Sequence, residues 1–61
     1  MSNDSMRILI VDDDRDFAAM IAEYLRDRGH DPIAVADGDA MRAAMDEGNI
    51  DLVLLDLVLP R

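Results

Sequence analysis

Residues 7–14 of this chain read Arg-Ile-Leu-Ile-Val-Asp-Asp-Asp, an apolar run that ends in three consecutive carboxylates. A second apolar run follows at residues 51–60, which read Asp-Leu-Val-Leu-Leu-Asp-Leu-Val-Leu-Pro. Continuous apolar runs rich in Val, Ile and Leu are typical of parallel strands covered on both faces. Ligands of open α/β sheets bind at the carboxyl ends of such strands. The two runs therefore predict an acidic site at the carboxyl edge of a parallel sheet.

The segment after the first run predicts a helix over about residues 15–28. Asp14 is a plausible N-cap, and Gly29 stands where a C-terminal glycine is expected. The apolar positions follow the spacing of one helix face. They are Phe17, Ile21, Tyr24, Leu25 and the stem of Arg28.

The middle of the chain predicts a short edge strand and a second helix. Pro32 has no amide hydrogen and suits the start of an edge strand, which we place at residues 33–36. Residues 37–39 form a turn with cap character, and residues 40–47 form a helix that Gly48 closes. With a last strand over residues 51–59, the order is β-α-β-α-β, which implies a parallel sheet with right-handed crossovers.

Composition narrows the class of protein. The 61 residues are 51% hydrophobic and carry a net charge of −8, so the chain should repel nucleic acid and anionic membranes. The absence of cysteine excludes disulfides and thiolate zinc sites. No apolar stretch reaches the roughly 20 residues needed to cross a bilayer. Because residues 1–6 lack the features of a signal peptide, we expect a flexible lead-in and a cytoplasmic location.

The pattern resembles the receiver domain of two-component response regulators over residues 7–60. The resemblance is carried by residues 8–14, Gly29-His30, Ala36-Asp37-Gly38 and residues 51–60. It implies an α/β fold, the N-terminal half of a flavodoxin-like, doubly wound domain. On this interpretation residues 7–61 are a truncated receiver domain, with its first three strands and two helices.

The resemblance also implies the chemistry. Asp56 matches the phosphoacceptor, Asp13 the direct Mg²⁺ ligand, Asp12 the carboxylate that holds a metal-bound water, and Val58 the backbone carbonyl ligand. The chain would then be a phosphoacceptor signalling module, not an enzyme, served by a sensor histidine kinase or phosphotransfer protein. A carboxylate can attack phosphorus, and a divalent cation offsets the repulsion between two anions.

The sequence departs from the family in one important respect. Receiver domains contact the phosphoryl oxygens through a threonine or serine and a lysine, yet this chain has no lysine or threonine, and its serines are Ser2 and Ser5. A half-receiver would also expose its third strand as an apolar edge, which is a template for pairing. We therefore expect a homo-oligomer through that strand, and a phosphorylation-incompetent pairing module is the alternative function.

Two further alternatives come from other classes. Asp12, Asp14, Asp16 and Glu23 occupy positions 1, 3, 5 and 12 of a calcium-binding EF-hand loop, although Phe17 stands where the loop needs glycine. The acids could instead serve only as caps of strands and helices in a structural α/β fragment. His30 is expected in an exposed turn without a catalytic role.

Overall fold

The structure is a computed structural model that describes residues 5–55. Three parallel strands and two helices alternate along the chain in the order β1-α1-β2-α2-β3. Their bounds are β1 Arg7–Val11, α1 Arg15–Asp27, β2 Asp31–Val35, α2 Gly38–Glu47 and β3 Leu52–Leu55. The sheet order is β2-β1-β3, so β1 is the central strand. The predicted α/β fold with a parallel sheet is confirmed.

The core is centred on β1 because this strand has a neighbour on both sides. Ile8, Leu9, Ile10 and Val11 are all buried, and Leu9 is fully enclosed. Ile8 and Ile10 pack against α1, whose Ala18 and Ala22 are buried there. Since alternate residues of a strand point to opposite faces, Leu9 and Val11 face the other side. Right-handed crossovers place α2, which also contacts β1, on that side.

The apolar face predicted for α1 is partly wrong. The helix presents Ala18 and Ala22 to the sheet, with Ile21 and Leu25 partly buried beside them. Phe17 and Tyr24, which the spacing assigned to the same face, are 47% and 54% exposed. The guanidinium of Arg28 lies 4.5 Å from the centre of the Tyr24 ring, so both belong to the helix surface. The small side chains of Ala18 and Ala22 therefore form the centre of the buried face, with Ile21 and Leu25 at its side.

The two ends of α1 lie close to the cap residues that the sequence predicted. Asp14 is the N-cap, as predicted. The helix ends at Asp27, so Arg28, which the prediction placed inside the helix, is its C-cap. Gly29 has φ +91° and its N–H donates to the carbonyl of Arg26, while the N–H of His30 donates to the carbonyl of Leu25. This pair of bonds is the Schellman arrangement, in which a glycine tolerates the left-handed backbone.

The other elements differ slightly from their predicted bounds. β2 begins at Asp31 and ends at Val35, and α2 begins at Gly38 because Asp37 is its N-cap. Pro32 lies inside β2, which is an edge strand of the described sheet, so its missing N–H is tolerated. β3 begins at Leu52. The remainder of the predicted last strand, residues 56–59, lies outside the described residues.

Candidate functional site

Asp12 directly follows β1 at the carboxyl edge of the sheet. Its side chain is buried, with the residue only 5% exposed. Its N–H donates to the carbonyl of Val35 at 3.1 Å, and its Oδ1 accepts the N–H of Asp14 at 2.9 Å. A buried carboxylate is costly unless it is hydrogen-bonded or paired with a cation. The structure therefore fixes one oxygen of Asp12 at the edge where the sequence predicts the site.

Asp13 and Asp14 follow Asp12 but are used differently. Asp13 is exposed at the bend between β1 and α1. Asp14 is also exposed, but its Oδ1 accepts the N–H of Phe17 at 3.1 Å and caps α1. Asp13 is therefore the carboxylate that remains open to solvent beside the buried Asp12. This outcome agrees with the predicted role of Asp14 as the N-cap of α1.

Two open cavities border Asp12 among the described residues. One has a volume of about 190 Å³ and lies between α1 and β3, where Phe17, Ile21, Leu54 and Leu55 line it. The other, of about 290 Å³, lies between α1 and β2 and includes Arg15. Asp12 therefore stands at a concave, mainly apolar edge that is open on both sides of α1.

The strand register relates β1 to β3 at this edge. Val11 pairs with Leu55 and Ile10 pairs with Leu54. Asp12 and Asp56 are the next residues in sequence after the paired Val11 and Leu55. Asp56, the predicted phosphoacceptor, and Val58, the predicted carbonyl ligand, lie outside the described residues. Within residues 5–55, no group of three or more Asp, Glu, His or Cys side chains is arranged to hold a metal ion.

The donor set nevertheless suits magnesium. Mg²⁺ prefers carboxylate and carbonyl oxygens and keeps several of its waters. Asp12 provides a buried, oriented carboxylate and Asp13 an exposed one. Two carboxylates of this kind could hold a partly hydrated divalent cation from one side.

The EF-hand alternative does not fit the structure. Its twelve-residue loop would run over residues 12–23, but Arg15–Asp27 form α1. Asp16 and Glu23 therefore lie on a helix, where they cannot wrap around one ion with Asp12 and Asp14. Asp12 instead accepts a hydrogen bond at the end of β1, and Asp14 caps α1.

Several polar contacts were not anticipated from the sequence. Asp51 Oδ2 accepts the N–H of Arg7 at 2.8 Å, at the sheet edge opposite Asp12. His30 Nδ1 accepts the N–H of Met6 at 3.1 Å, and Met6 accepts the N–H of Asp31. Met6, assigned above to the flexible lead-in, is thus fixed by two bonds. In the sequence, the only signal for the contact between Asp51 and Arg7 is an acid directly before an apolar run. This signal does not identify Arg7 as the partner.

Comparisons with known proteins agree on one family. Residues 8–61 match the response regulator receiver domain. The chain is 48% identical over 54 residues to the DNA-binding response regulator MtrA of Mycolicibacterium paratuberculosis, a match that covers 88% of this chain and 24% of that protein. It is 44% identical over 55 residues to the transcriptional regulatory protein TcrA of Mycobacterium tuberculosis, covering 90% of this chain and 22% of that protein. No solved structure matches significantly.

The chain therefore belongs to the response regulator receiver domain family of two-component signalling. It spans about a quarter of the length of the curated relatives that it matches. Neither helix in the described part of the chain is long and apolar enough to cross a membrane.

Proposed function

We propose that this chain receives a phosphoryl group on Asp56, with Mg²⁺ held by Asp12, Asp13, Asp56 and the carbonyl of Val58. The observation that carries the proposal is the buried, hydrogen-bonded Asp12 at the end of β1, beside the paired Val11 and Leu55. In the sequence, Asp56 directly follows Leu55, as Asp12 directly follows Val11. Family membership supports the same set of residues.

The proposed step is a substitution at phosphorus. An oxygen of the Asp56 carboxylate attacks the phosphorus atom, a new O–P bond forms, and the bond to the donor's leaving group breaks with its electron pair. When bound, Mg²⁺ supplies charge neutralisation for the attacking carboxylate and the phosphoryl oxygens. Asp13 would bind the ion directly, whereas Asp12 would hold one of its waters. The product is an acyl phosphate on Asp56.

The sequence also bears on the rate of this step. Neither lysine nor threonine occurs in the 61 residues, so these residues offer no ammonium group for the phosphoryl oxygens. Removing one preorganised donor from a charged transition state typically costs about 3–4 kcal/mol. We therefore expect phosphorylation of these 61 residues by themselves to be slow. A sensor histidine kinase or phosphotransfer protein is the proposed donor, and the cytoplasm the proposed location.

Incubation with acetyl phosphate tests the proposal. With Mg²⁺, the intact chain should gain the mass of one phosphoryl group, and EDTA should prevent the gain. Asp56→Asn and Asp13→Asn should abolish or strongly reduce it. Asp46→Asn is a matched control, because it removes the same charge from the exposed surface of α2. Equal modification of all four proteins, or of none, would contradict the proposal.

Strand pairing with a second copy is a second proposed activity, which the exposure of β3 favours. Leu52, Leu54 and Leu55 are 42%, 38% and 53% exposed, and β3 is an edge of the described sheet. Exposed apolar edge strands pair with other chains. Sedimentation equilibrium should show a dimer or larger species that Leu54→Glu weakens. A folded monomer at all concentrations would exclude this activity.

A further inference from the structure

Asp14 connects the start of α1 to the buried carboxylate of Asp12. Its N–H donates to Asp12 Oδ1 at 2.9 Å. Its own Oδ1 accepts the N–H of Phe17 at 3.1 Å, and its carbonyl accepts the N–H of Ala18 at 3.0 Å. Asp14, whose N–H contacts Asp12, is thus held by two bonds from the first turn of the helix, one to its side chain and one to its carbonyl.

We propose that Asp14 is a positioning residue for the cation site, and that its helix cap keeps the Asp12 carboxylate in the orientation that Mg²⁺ binding requires. The proposal rests on the function proposed above, because it concerns the same site. Asp14 would act through Asp12 and would not touch the ion.

The orientation follows from how the two oxygens of Asp12 are used. Oδ1 is engaged by the N–H of Asp14, whereas Oδ2 receives no hydrogen bond from the other described residues. Asp12 is only 5% exposed, and the two oxygens of its planar carboxylate share one carbon atom. Fixing Oδ1 therefore also fixes the direction of Oδ2, the oxygen that can accept a hydrogen bond from a water of a hydrated cation.

The charge of Asp14 is not required for this role. An N-cap needs a side-chain acceptor for a backbone N–H, and Asn or Ser provides one as well as Asp does. The carboxylate of Asp14 is already committed to the Phe17 N–H. A neutral residue that caps the helix should therefore keep Asp12 in position, whereas alanine should not.

The chain offers a matched control at the second helix. Asp37 Oδ1 accepts the N–H of Ala40 at 2.8 Å and caps α2 in the same way. Asp37→Ala and Asp14→Ala remove the same charge and the same type of cap. Of the two caps, only Asp14 carries the backbone bond to Asp12.

The test is a Mg²⁺ titration of the full 61-residue chain at constant ionic strength, followed by the NMR shifts of the Asp13 and Asp14 amides. We expect Asp14→Ala to weaken Mg²⁺ binding about tenfold, as loss of an outer-sphere partner does. Asp14→Asn and Asp37→Ala should bind within a factor of about three of wild type, since both keep the Asp12 contact. If Asp14→Ala does not fold, Asp14→Gly replaces it, because glycine starts helices without a side-chain acceptor.

Three results of this titration would contradict the proposed role of Asp14. Equal affinity of wild type, Asp14→Ala and Asp37→Ala would overturn the role of Asp14 while leaving the proposed function intact. Equal weakening by Asp14→Asn and Asp14→Ala would overturn it too, because charge and not capping would then control binding. A wild type that binds no Mg²⁺ would contradict both this role and the proposed cation site.

Discussion

Asp51 and Arg7 are joined by two hydrogen bonds of 2.8 Å, one from the Arg7 N–H to Asp51 Oδ2 and one from the Asp51 N–H to the Arg7 carbonyl. These contacts connect the residue before β3 to the first residue of the central strand. They lie at the amino edge of the sheet, opposite Asp12. Asp51 therefore lies at the edge of the sheet away from the proposed cation site.

The side-chain bond of Asp51 should contribute to stability. Asp51→Ala leaves the Arg7 N–H without its acceptor, whereas Asp51→Asn keeps an amide oxygen in its place. We expect the alanine variant to lower the free energy of unfolding by about 1 kcal/mol. Urea denaturation followed by circular dichroism measures the difference. Identical midpoints for the alanine variant and wild type would show that solvent replaces the bond at no cost.

The left-handed backbone at Gly29 allows a comparison of two glycines. Gly29 has φ +91°, whereas Gly38 lies in α2 without a positive φ, and a Cβ at either position meets no atom within 4 Å. Gly29→Ala should therefore cost about 1–2 kcal/mol through backbone strain alone. Gly38→Ala should be neutral or slightly stabilising because alanine favours helix. Thermal unfolding of both variants checks this, and equal melting temperatures would contradict it.

Burial separates two leucines of the sheet. Leu9 is fully enclosed in β1, whereas Leu52 in β3 is 42% exposed. Leu9→Ala should cost about 2–5 kcal/mol, which is enough to unfold a domain of this size. Leu52→Ala should cost clearly less, since it loses less buried surface. Loss of the circular dichroism signal in the Leu9 variant alone is the expected result, and loss in both or in neither would oppose this view of the core.

The elements that the sequence predicted well are those that depend on local signals. The cap at Asp14, the glycine at Gly29 and the apolar run of β1 can each be recognised from a few neighbouring residues. The carboxyl-edge position of Asp12 followed from the parallel fold, and the structure places it there, buried.

The details that were missed depend on contacts between distant segments. The periodicity of α1 fits either of two neighbouring stripes, and only packing of Ala18 and Ala22 on the sheet chooses one. Arg7 and Asp51 are 44 residues apart, so their contact cannot be inferred from spacing. Asp56 and Val58 lie outside the described residues, and their roles stay predictions.

Direct identification of the modified side chain tests the central claim most closely. After incubation with Mg²⁺ and acetyl phosphate, reduction of the acyl phosphate with borohydride converts the modified aspartate to homoserine, which peptide mass spectrometry can locate. We predict homoserine at position 56 alone, dependent on Mg²⁺ and strongly reduced by Asp13→Asn. Homoserine at Asp12, Asp13 or a surface aspartate instead, or at no position, would contradict the account.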